Sequence, residues 1–576
     1  MAKAARYIWV VLSMSITSGV LGQSALNERY TFSLAEGSVV KALDQIALTG
    51  GLVFSYNPEA LPQDPVVDVS FQEQKLNDIL ARIIGENYRF IQRGKYIIIQ
   101  ARKATKTTKL KVAGTVVDAQ SGEELSDASI FDANTLSASL SDDQGQYNLF
   151  VSRRYEAATF IISKQNYKDT LIRLMPGERL PEKVTLQPSN QSEAKGSPVD
   201  KSGFFKTFVA DKIRKHMQNV TLGEERPLQL SLFPVLGTNG LLSGKITNYV
   251  SLNATIGVAY GVKAFEVAGA GNIVRNNVKG VQLAGGLNIV GNETAGLQMA
   301  GGVNLDLGST RGTQFAGALN INRGEFEGAQ FAGAINNSRD TKGLQAAGFG
   351  NWSDDLQGWQ LAGALNYAHG NVKGVQLAGA INYTKDDVSG VQISSLLNYA
   401  WSLSGVQIGL VNVVNEDRGG VSIGLINIIK NGLKKLEISH NDVTAYNLSF
   451  RMGTETFYSF LAAGIQPHKG NFWSYGLGFG TQFSLPKEFF ANVEVSSFEL
   501  RPLTEQAEDI NHNLNKLNIN LGIQLKPSLA LIGGPVLNIA VRDRRQPDPF
   551  SAEPDWLLAE NNDLSMWLGY RLGVRF

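Results

Sequence analysis

The sequence predicts a mainly β, multidomain protein with a small α/β N-terminal domain, a β-sandwich and a large antiparallel β-barrel. An internal repeat of 15–16 residues fills residues 262–430. Apolar and polar residues alternate inside each repeat unit and again after residue 433, and this period of two is typical of β-strands. With 576 residues, the chain is also too long for one core, because domains average roughly 150 residues.

Composition excludes several classes of function. The chain has no cysteine, which excludes disulfides, thiolate metal sites and thiol nucleophiles. Its formal net charge is +1, so no strong field attracts nucleic acid, and we expect no nucleic-acid partner. The five histidines are scattered, and no nucleophile elbow or Walker loop occurs. We therefore expect no enzymatic activity, no bound metal and no cofactor.

The N-terminus predicts export. Lys3 and Arg6 form a short basic region, and the apolar stretch 7–20 follows. Small residues then precede a predicted cleavage between Gly22 and Gln23. This order is typical of a secretory signal peptide covering residues 1–22; an ordinary N-terminal helix is the alternative.

Residues 29–101 alternate between strand and helix patterns, with Val39, Leu43 and Ile46 on one helical face. The segments YTFSLAEGSVVKALDQIALTGGLVFSYNPEAL, VSFQEQKLNDILARIIGENYRF and YIII together resemble the secretin/TonB short N-terminal (STN) domain. The resemblance implies a periplasmic module that contacts other proteins. We therefore expect a periplasmic or inner-membrane protein partner at this domain.

Residues 109–187 have an all-β pattern. The segments KVAGTVVDAQSGEELSDASI, SDDQGQYNLFV and TFIISKQNYKDTLIRL resemble a carboxypeptidase regulatory-like domain, a small non-enzymatic β-sandwich. The resemblance implies a module that commonly precedes an outer-membrane barrel. Residues 188–226 then predict a polar linker and a basic amphipathic helix, which packs on its own domain or lies on a membrane surface.

Eleven repeat units follow the pattern GVQ-[LI]-x-G-x-[LI]-N, which resembles surface-repeat proteins of Gram-negative bacteria. The units are 264–272, 280–288, 296–304, 312–320, 328–336, 343–351, 358–366, 374–382, 390–398, 405–412 and 420–427. In the second unit Val281, Leu283 and Leu287 share one face, while Gln282 and Asn288 share the other. Each unit is long enough to cross a membrane as one strand.

Two architectures satisfy this pattern. In a membrane barrel, each unit is one crossing strand and the Gln/Asn face lines the lumen. Aromatic residues at the strand ends then form a girdle; they are Trp352, Tyr367, Tyr383 and Tyr399. In a β-solenoid attached to a smaller barrel, each unit is one coil and Gln and Asn form stacked ladders. The even unit length favours the solenoid. The matching polarity of the flanking strands favours a barrel of about twenty strands, and we predict that barrel over residues 227–576.

The C-terminal strand predicts an outer-membrane location. From Leu564 to Phe576 apolar residues alternate with Arg, Gly, Trp and Ser, which suits an apolar face toward lipid and a polar face inward. A terminal Phe resembles the C-terminal signal of outer-membrane barrels. The resemblance implies that Phe576, with Tyr570 and Gly573, is recognised by the barrel-assembly machinery. We expect lipid contact there and a periplasmic location from residue 23 to about 226.

These patterns are compatible with two functions. The first is a non-enzymatic outer-membrane barrel with periplasmic signalling or interaction modules, which passes or senses a polar ligand. Its candidate lumen-lining residues are Gln282, Gln298, Gln314, Gln330, Gln345, Gln360, Gln376, Gln392, Gln407, Asn288, Asn304, Asn320, Asn366 and Asn382. The alternative is a structural or adhesive surface protein in which the repeats present a regular surface.

Overall fold

The computed structural model describes residues 25–58, 61–62, 66–101, 108–153, 158–175, 178–189, 196–220, 223–468, 471–503, 512–541, 557–561 and 564–576. The predicted signal peptide and its cleavage site at Gly22 and Gln23 lie outside these residues. The chain forms two compact units, Met1–Ala268 with Ile273–Asn276, and Gly269–Asn272 with Asn277–Phe576.

The first module of the first unit combines helices and strands. It contains β1 (Arg29–Gly37), α1 (Val39–Gly50), β2 (Val53–Ser55), β3 (Val66–Lys75), α2 (Leu76–Ile84), β4 (Tyr88–Arg93) and β5 (Tyr96–Ala101). β1 pairs with β3, and β2, β5 and β4 form a second sheet. The side chain of Ser38 caps α1, and Gly51 ends it in the left-handed conformation. Leu43, Ile79 and Leu80 are buried between the helices and the strands.

The second module consists of two sheets. It contains β6 (Thr108–Asp118), β7 (Ser129–Asp132), β8 (Ala138–Leu140), β9 (Gln146–Arg153), β10 (Ala158–Ser163), β11 (Thr170–Leu174) and β12 (Lys183–Leu186). The strand orders are β11–β10–β7–β8 and β12–β6–β9. Ile130, Leu149 and Phe160 belong to one buried apolar cluster drawn from both sheets, as in a sandwich.

Two short helices and five strands complete the described part of the first unit before residue 269. They are α3 (Gly203–Phe208), α4 (Asp211–Asn219), β13 (Glu224–Phe233), the short β14 (Leu236–Gly237), β15 (Ile246–Asn253), β16 (Ile256–Ala259) and β17 (Gly261–Ala268). β13, β15 and β17 pair in parallel. Ile213 and Met217 of α4 are buried, so the apolar side of this helix packs within its own unit.

The repeats of the second unit form a stack of coils, each with two short strands. The strands are β18 (Gly271–Val274), β19 (Val278–Ala284), β20 (Leu287–Val290), β21 (Thr294–Ala300), β22 (Val303–Asp306), β23 (Thr310–Ala316), β24 (Leu319–Asn322), β25 (Phe326–Ala332), β26 (Ile335–Asn337), β27 (Thr341–Ala347), β28 (Gly350–Ser353), β29 (Leu356–Ala362), β30 (Leu365–Ala368), β31 (Val372–Ala378), β32 (Ile381–Val388), β33 (Val391–Ser394), β34 (Leu397–Leu403), β35 (Val406–Ile408), β36 (Val411–Asp417), β37 (Val421–Ile423) and β38 (Ile426–Ile429). β19 pairs in parallel with β21, which sets Gln282 opposite Gln298.

The prediction that the repeats are barrel strands is wrong, and the alternative, a β-solenoid with a smaller barrel, is confirmed. Parallel pairing of consecutive units requires one full turn of the chain per unit, whereas barrel strands would reverse at each unit. Glycines permit this coiled path, because some need a positive φ and others lie too close to the neighbouring coil for a side chain. Gly296 has a φ of 136°, where other residues are strained. A Cβ on Gly301 would lie 2.1 Å from the carbonyl oxygen of Gly285.

The C-terminal segment forms a closed antiparallel barrel of eight strands. Its strands are β39 (Leu433–Asn441), β40 (Tyr446–Gly453), β41 (Tyr458–Gln466), β42 (Phe472–Ser484), β43 (Phe489–Pro502), β44 (His512–Lys526), β45 (Leu529–Val541) and β47 (Leu564–Arg575), with the short β46 (Ala559–Asn561) beside β47. β39 pairs with β47 and closes the barrel. The predicted barrel of about twenty strands is therefore replaced by one that begins at Leu433.

Candidate functional site

A column of asparagines runs through the solenoid interior; we call it the Asn ladder. Asn288 Nδ2 donates to Asn304 Oδ1 at 2.9 Å and to the carbonyl oxygen of Met299 at 2.8 Å. The same amide-to-amide bond recurs from coil to coil between Asn272 and Asn427. Each ladder side chain is fully buried, and its amide N–H groups donate within the stack, except that Asn427 also donates to Ser459 of the barrel.

A parallel column of glutamines, the Gln ladder, has the opposite direction. Gln298 Nε2 donates to Gln282 Oε1 at 2.9 Å, and Gln314 Nε2 donates to Gln298 Oε1 at 2.6 Å. The series continues to Gln407. Gln side chains donate toward the preceding coil and Asn side chains donate toward the next coil. The amide dipoles of the two ladders therefore oppose each other.

All the Gln and Asn residues predicted to line a barrel lumen lie in these two ladders. The alternation predicted one polar face for these residues, and they do share an interior, which is that of the solenoid. The predicted aromatic girdle is a column on the outside of the coils: Tyr367 stacks on Tyr383 with ring centres 5.6 Å apart, and Tyr383 on Tyr399 at 4.5 Å. Trp352 stands opposite Tyr367 in the adjacent coil.

Two acidic side chains are buried among the repeat units, Glu266 in the first unit and Asp306 directly after the third. Asp306 is fully buried and accepts bonds from Gln298 Nε2 at 3.0 Å, Thr310 Oγ1 at 2.6 Å and Gln314 Nε2 at 2.8 Å. Burial raises the pKa of Asp306 to about 6, against the hydrogen bonds, which lower it. Its neighbours in register are Asn322 and Val290, so no like charge stacks on it.

The barrel separates apolar and charged side chains between its two faces. On β47, Leu568, Tyr570 and Leu572 are exposed, whereas Trp567 and Arg571 are buried, which confirms the faces predicted from alternation. Other strands follow the same rule; exposed outward residues include Leu436, Ile438, Leu448, Phe450, Leu461, Leu477, Val495, Ile519, Leu521 and Leu531. Aromatic residues lie toward both ends of this face, with Trp473 near one end and Phe489 near the other.

A buried ion cluster fills one end of the barrel; it consists of Arg451, Arg571, Arg575, Glu437 and Glu494. Arg451 contacts Glu437 at 3.0 Å and Glu494 at 3.0 Å, and Arg571 contacts Glu494 at 2.7 Å as well as Glu437. Arg575 contacts Glu437 at 3.0 Å. All five are at most 8% exposed, so each carboxylate is paired with at least two guanidinium groups.

The rest of the barrel interior is also packed. Toward the other end, Phe472, Leu500 and Trp567 belong to a buried apolar cluster, and Trp567 Nε1 donates to Asp442 Oδ2 at 2.8 Å. A cavity beside Lys516 and Asn518 has a volume of about 20 Å³, which is enough for about one water molecule. An eight-stranded barrel is just wide enough for its side chains to fill.

Neither the ion cluster nor Asp306 was predicted as a site. Arg571 was recognised as inward-facing, but its partners lie 77 and 134 residues away. The available signal was a charged residue at an inward position of an alternating strand, as for Glu494 in NVEVSS and Glu437 in KLEIS. Phe576 is exposed after β47, Tyr570 faces outward and Gly573 lies on the inward face; their role in insertion stays a prediction.

In the first unit, one buried ion pair and one apolar cluster join the modules. Arg93 of β4 contacts Glu224 of β13 at 2.8 Å and donates from Nε to the carbonyl oxygen of Ala133 at 2.5 Å. The apolar cluster includes Ile98, Phe131 and Ile246, which come from the first module, the second module and β15. These modules are therefore packed into one block. An open polar cleft of about 770 Å³ lies beside Asp127, Lys164, Lys215 and other residues.

The described residues contain no group of three or more His, Asp or Glu that could hold a metal ion. None of the helices within the described ranges is long and apolar enough to cross a membrane. No known protein family, curated protein or solved structure matches this chain.

Proposed function

We propose that this protein is a non-enzymatic outer-membrane protein in which the eight-stranded barrel is the membrane anchor and the solenoid is an interaction platform. The observation behind the proposal is the segregation of side chains in the barrel wall. Leu521 is 63% exposed on the outside, while Arg451 and Glu494 are 0% exposed on the inside. A soluble protein rarely exposes such a large apolar surface, whereas lipid would cover it.

The packed interior supports an anchor over a pore. The ion cluster and the apolar cluster around Trp567 fill the two ends, and the cavity between them has room for about one water molecule. Passage of a polar ligand, the other function that the sequence suggests, would require a path through both clusters. Sensing of a ligand is compatible with the same anchor when the ligand binds outside the barrel.

Connection lengths support a periplasmic solenoid. Three short connections, 454–457, 485–488 and 527–528, lie at the end where the chain enters the barrel before Leu433 and ends at Phe576. At the opposite end, four residues separate β39 from β40 and five separate β41 from β42, whereas nine separate β43 from β44 and 22 separate β45 from β47. Outer-membrane barrels have short periplasmic turns and longer extracellular loops. The coils before Leu433 would accordingly begin on the periplasmic side, together with residues 23–226.

The N-terminal modules would then be contact sites for a periplasmic or inner-membrane protein. Their resemblance to an STN domain and a carboxypeptidase regulatory-like domain supports this assignment. The packing of both modules with Ile246 of β15 and the ion pair of Arg93 with Glu224 of β13 support it further, because a partner bound to one module would act on a single block. A structural role of the solenoid surface is the second candidate, supported by the regular ladders.

Heat-modifiability and flotation of the full chain test the anchor. We expect the protein to float with phosphatidylethanolamine/phosphatidylglycerol vesicles, to resist extraction at high pH, and to migrate differently on a gel when unheated. The matched variants are Leu521→Asp, on the outward face, and Asp340→Asn, on a charged edge of the solenoid. L521D should lower the floated fraction and D340N should not. Full extraction of the wild-type chain at high pH would contradict the proposal.

A further inference from the structure

The outside of the solenoid has a continuous apolar face, which we call the apolar edge. It consists of the outward residues at the positions of Val281, Leu283, Gly285, Gly286 and Leu287 and their equivalents in the following coils. The position of Ile289 belongs to it from the next coil onward, since Ile289 itself is buried. Each coil adds about 4.8 Å to the stack, so ten coils give a face roughly 45 Å long. The most exposed members include Met299, Phe349, Trp359, Leu377, Leu396, Leu410 and Ile428.

The composition of the apolar edge excludes charge. Across the ten coils from residue 278 to 429, no Asp, Glu, Lys or Arg occupies these outward positions. Charged residues lie instead on the other side of each coil, as Lys279, Arg311, Glu327 and Lys373 do. A solenoid surrounded by water gains nothing from such a separation, and exposed apolar patches beyond a few hundred Å² mark an interaction surface.

The apolar edge approaches the barrel wall at the last coil. Asn427 ends the Asn ladder by donating to Ser459 Oγ at 3.0 Å, and Ser459 donates to the carbonyl oxygen of Leu425 at 3.0 Å. Ser459 lies two residues before Leu461 on β41, so both are on the outward face of that strand, where Leu461 is exposed. Ile423 and Ile428 of the last coil are exposed as well. Exposed apolar side chains therefore lie on both the barrel strand and the last coil where these two parts meet.

We propose that the apolar edge contacts lipid hydrocarbon, so that the solenoid lies along the membrane that holds the barrel; this rests on the proposed function of the barrel as an anchor. The face is longer than the ~30 Å hydrocarbon core, so the coils stack along the membrane surface with the apolar edge toward the acyl chains. Tyr367, Tyr383 and Tyr399 are suited to such a position, because Tyr and Trp are enriched at membrane–water interfaces.

Lipid is favoured over a protein partner by this composition. A protein-binding surface of this length would need a polar rim and specific hydrogen-bonding positions, whereas the outward polar residues of the edge are few, as Thr313 and Asn337 are. The backbone of the coils is paired within the stack, so no unpaired strand groups would face the acyl chains except at the turns.

Spin labels test the proposal without background because the chain has no cysteine. The variants are Leu377→Cys on the apolar edge, Lys373→Cys on the charged side of the same coil, and Leu521→Cys on the barrel. Met299→Cys repeats the test in another coil. Each labelled full-length protein is reconstituted in phosphatidylethanolamine/phosphatidylglycerol vesicles and checked for the heat-modifiable band. Electron paramagnetic resonance then measures collisions with oxygen, which enriches in lipid, and with a water-soluble nickel chelate.

We expect L377C and M299C to match L521C, with high oxygen and low nickel accessibility, and K373C to show the reverse. High nickel accessibility at L377C and M299C beside a lipid-exposed L521C would overturn the inference and leave the anchor intact. Low accessibility of L377C to both reagents would also overturn it, since a protein or a second copy would then cover the edge. Nickel access at L521C would overturn the anchor itself.

Discussion

The solenoid and the barrel both bury polar side chains and expose apolar ones, yet their buried polar groups use different chemistry. The buried polar groups of the solenoid are mainly neutral amides that repeat from coil to coil, with Glu266 and Asp306 as exceptions, and an apolar cluster around Leu403 lies beside them. The buried polar groups of the barrel include an ion cluster. Stacking explains the difference. A charged residue repeated in each coil would face its copy about 4.8 Å away, at a cost of about 3 kcal/mol per pair. An amide both donates and accepts, so it pairs with its own copy.

The barrel has no such restriction because its strands differ in sequence. Glu437 on β39 and Glu494 on β43 meet three arginines from β40 and β47. Opposite charges can therefore be assembled across the interior. A repeat therefore selects side chains that can hydrogen-bond to their own copy, whereas a closed barrel of unique strands can pair side chains of opposite charge.

The largest expected effect comes from breaking the ion cluster. Glu494→Ala leaves Arg451 and Arg571 with one carboxylate fewer in a buried site, and removing one partner of a buried pair costs roughly 3–5 kcal/mol. The urea midpoint of the heat-modifiable band should fall strongly. Glu488→Ala, in an exposed turn of the same barrel, is the control. An unchanged midpoint for E494A would show that the cluster does not hold the barrel together.

Asp306→Asn should change how solenoid stability depends on pH. The folded pKa of Asp306 is raised to about 6 from an ordinary 3.8, so the wild-type solenoid is most stable when this carboxyl is protonated. Its free energy of unfolding should fall by about 3 kcal/mol as pH rises from about 4 to above 6. D306N should remove this decrease in the free energy of unfolding. The control Asp354→Asn, at an exposed position of the solenoid, should retain it. Urea unfolding across this pH range measures the slopes; equal slopes in wild type and D306N would refute the assignment.

Adjacent asparagines offer a sharper comparison within one strand. Asn336 belongs to the Asn ladder and bonds to Asn351 and to the carbonyl oxygen of Ala346, each at 2.9 Å, while Asn337 is exposed. Asn336→Ala leaves buried ladder groups unpaired and should destabilise the solenoid by roughly 2 kcal/mol. Hydrogen exchange of peptides from coils 320–366 should rise in N336A alone. Equal exchange in N336A and N337A would argue against a buried ladder.

The smallest effect is expected from an external ion pair. Arg311 contacts Glu327 in the next coil at 2.9 Å, and both side chains are more than half exposed. Such pairs contribute little because water and salt screen them. Arg311→Ala should leave the urea unfolding curve of the solenoid unchanged within error. A loss comparable to that of N336A would show that surface charges, rather than the amide interior, stabilise the stack.

Much of this architecture is visible in the sequence, and the missing part has a physical cause. The alternation correctly assigned Gln282 and Val281, and likewise Arg571 and Tyr570, to opposite faces of a strand. It could do so because a strand has the same period in a solenoid and in a barrel. It could not tell whether unit follows unit in parallel or antiparallel order. The glycines are the local signal for that order, since Gly296 has a φ of 136° and a Cβ on Gly301 would collide with the preceding coil. The ion cluster depends on pairing between distant strands, which a local pattern does not contain.

A cross-link between coils tests the central distinction between solenoid and barrel most directly. Gln357 and Lys373 stand opposite each other in register on β29 and β31 and are both exposed. In the full chain carrying Gln357→Cys and Lys373→Cys, Cα atoms about 4.8 Å apart suit a disulfide. The account predicts rapid cross-linking within one chain under mild oxidation. In a barrel of antiparallel repeat strands the two residues would lie near opposite ends of neighbouring strands, and failure to cross-link in folded protein would contradict the solenoid.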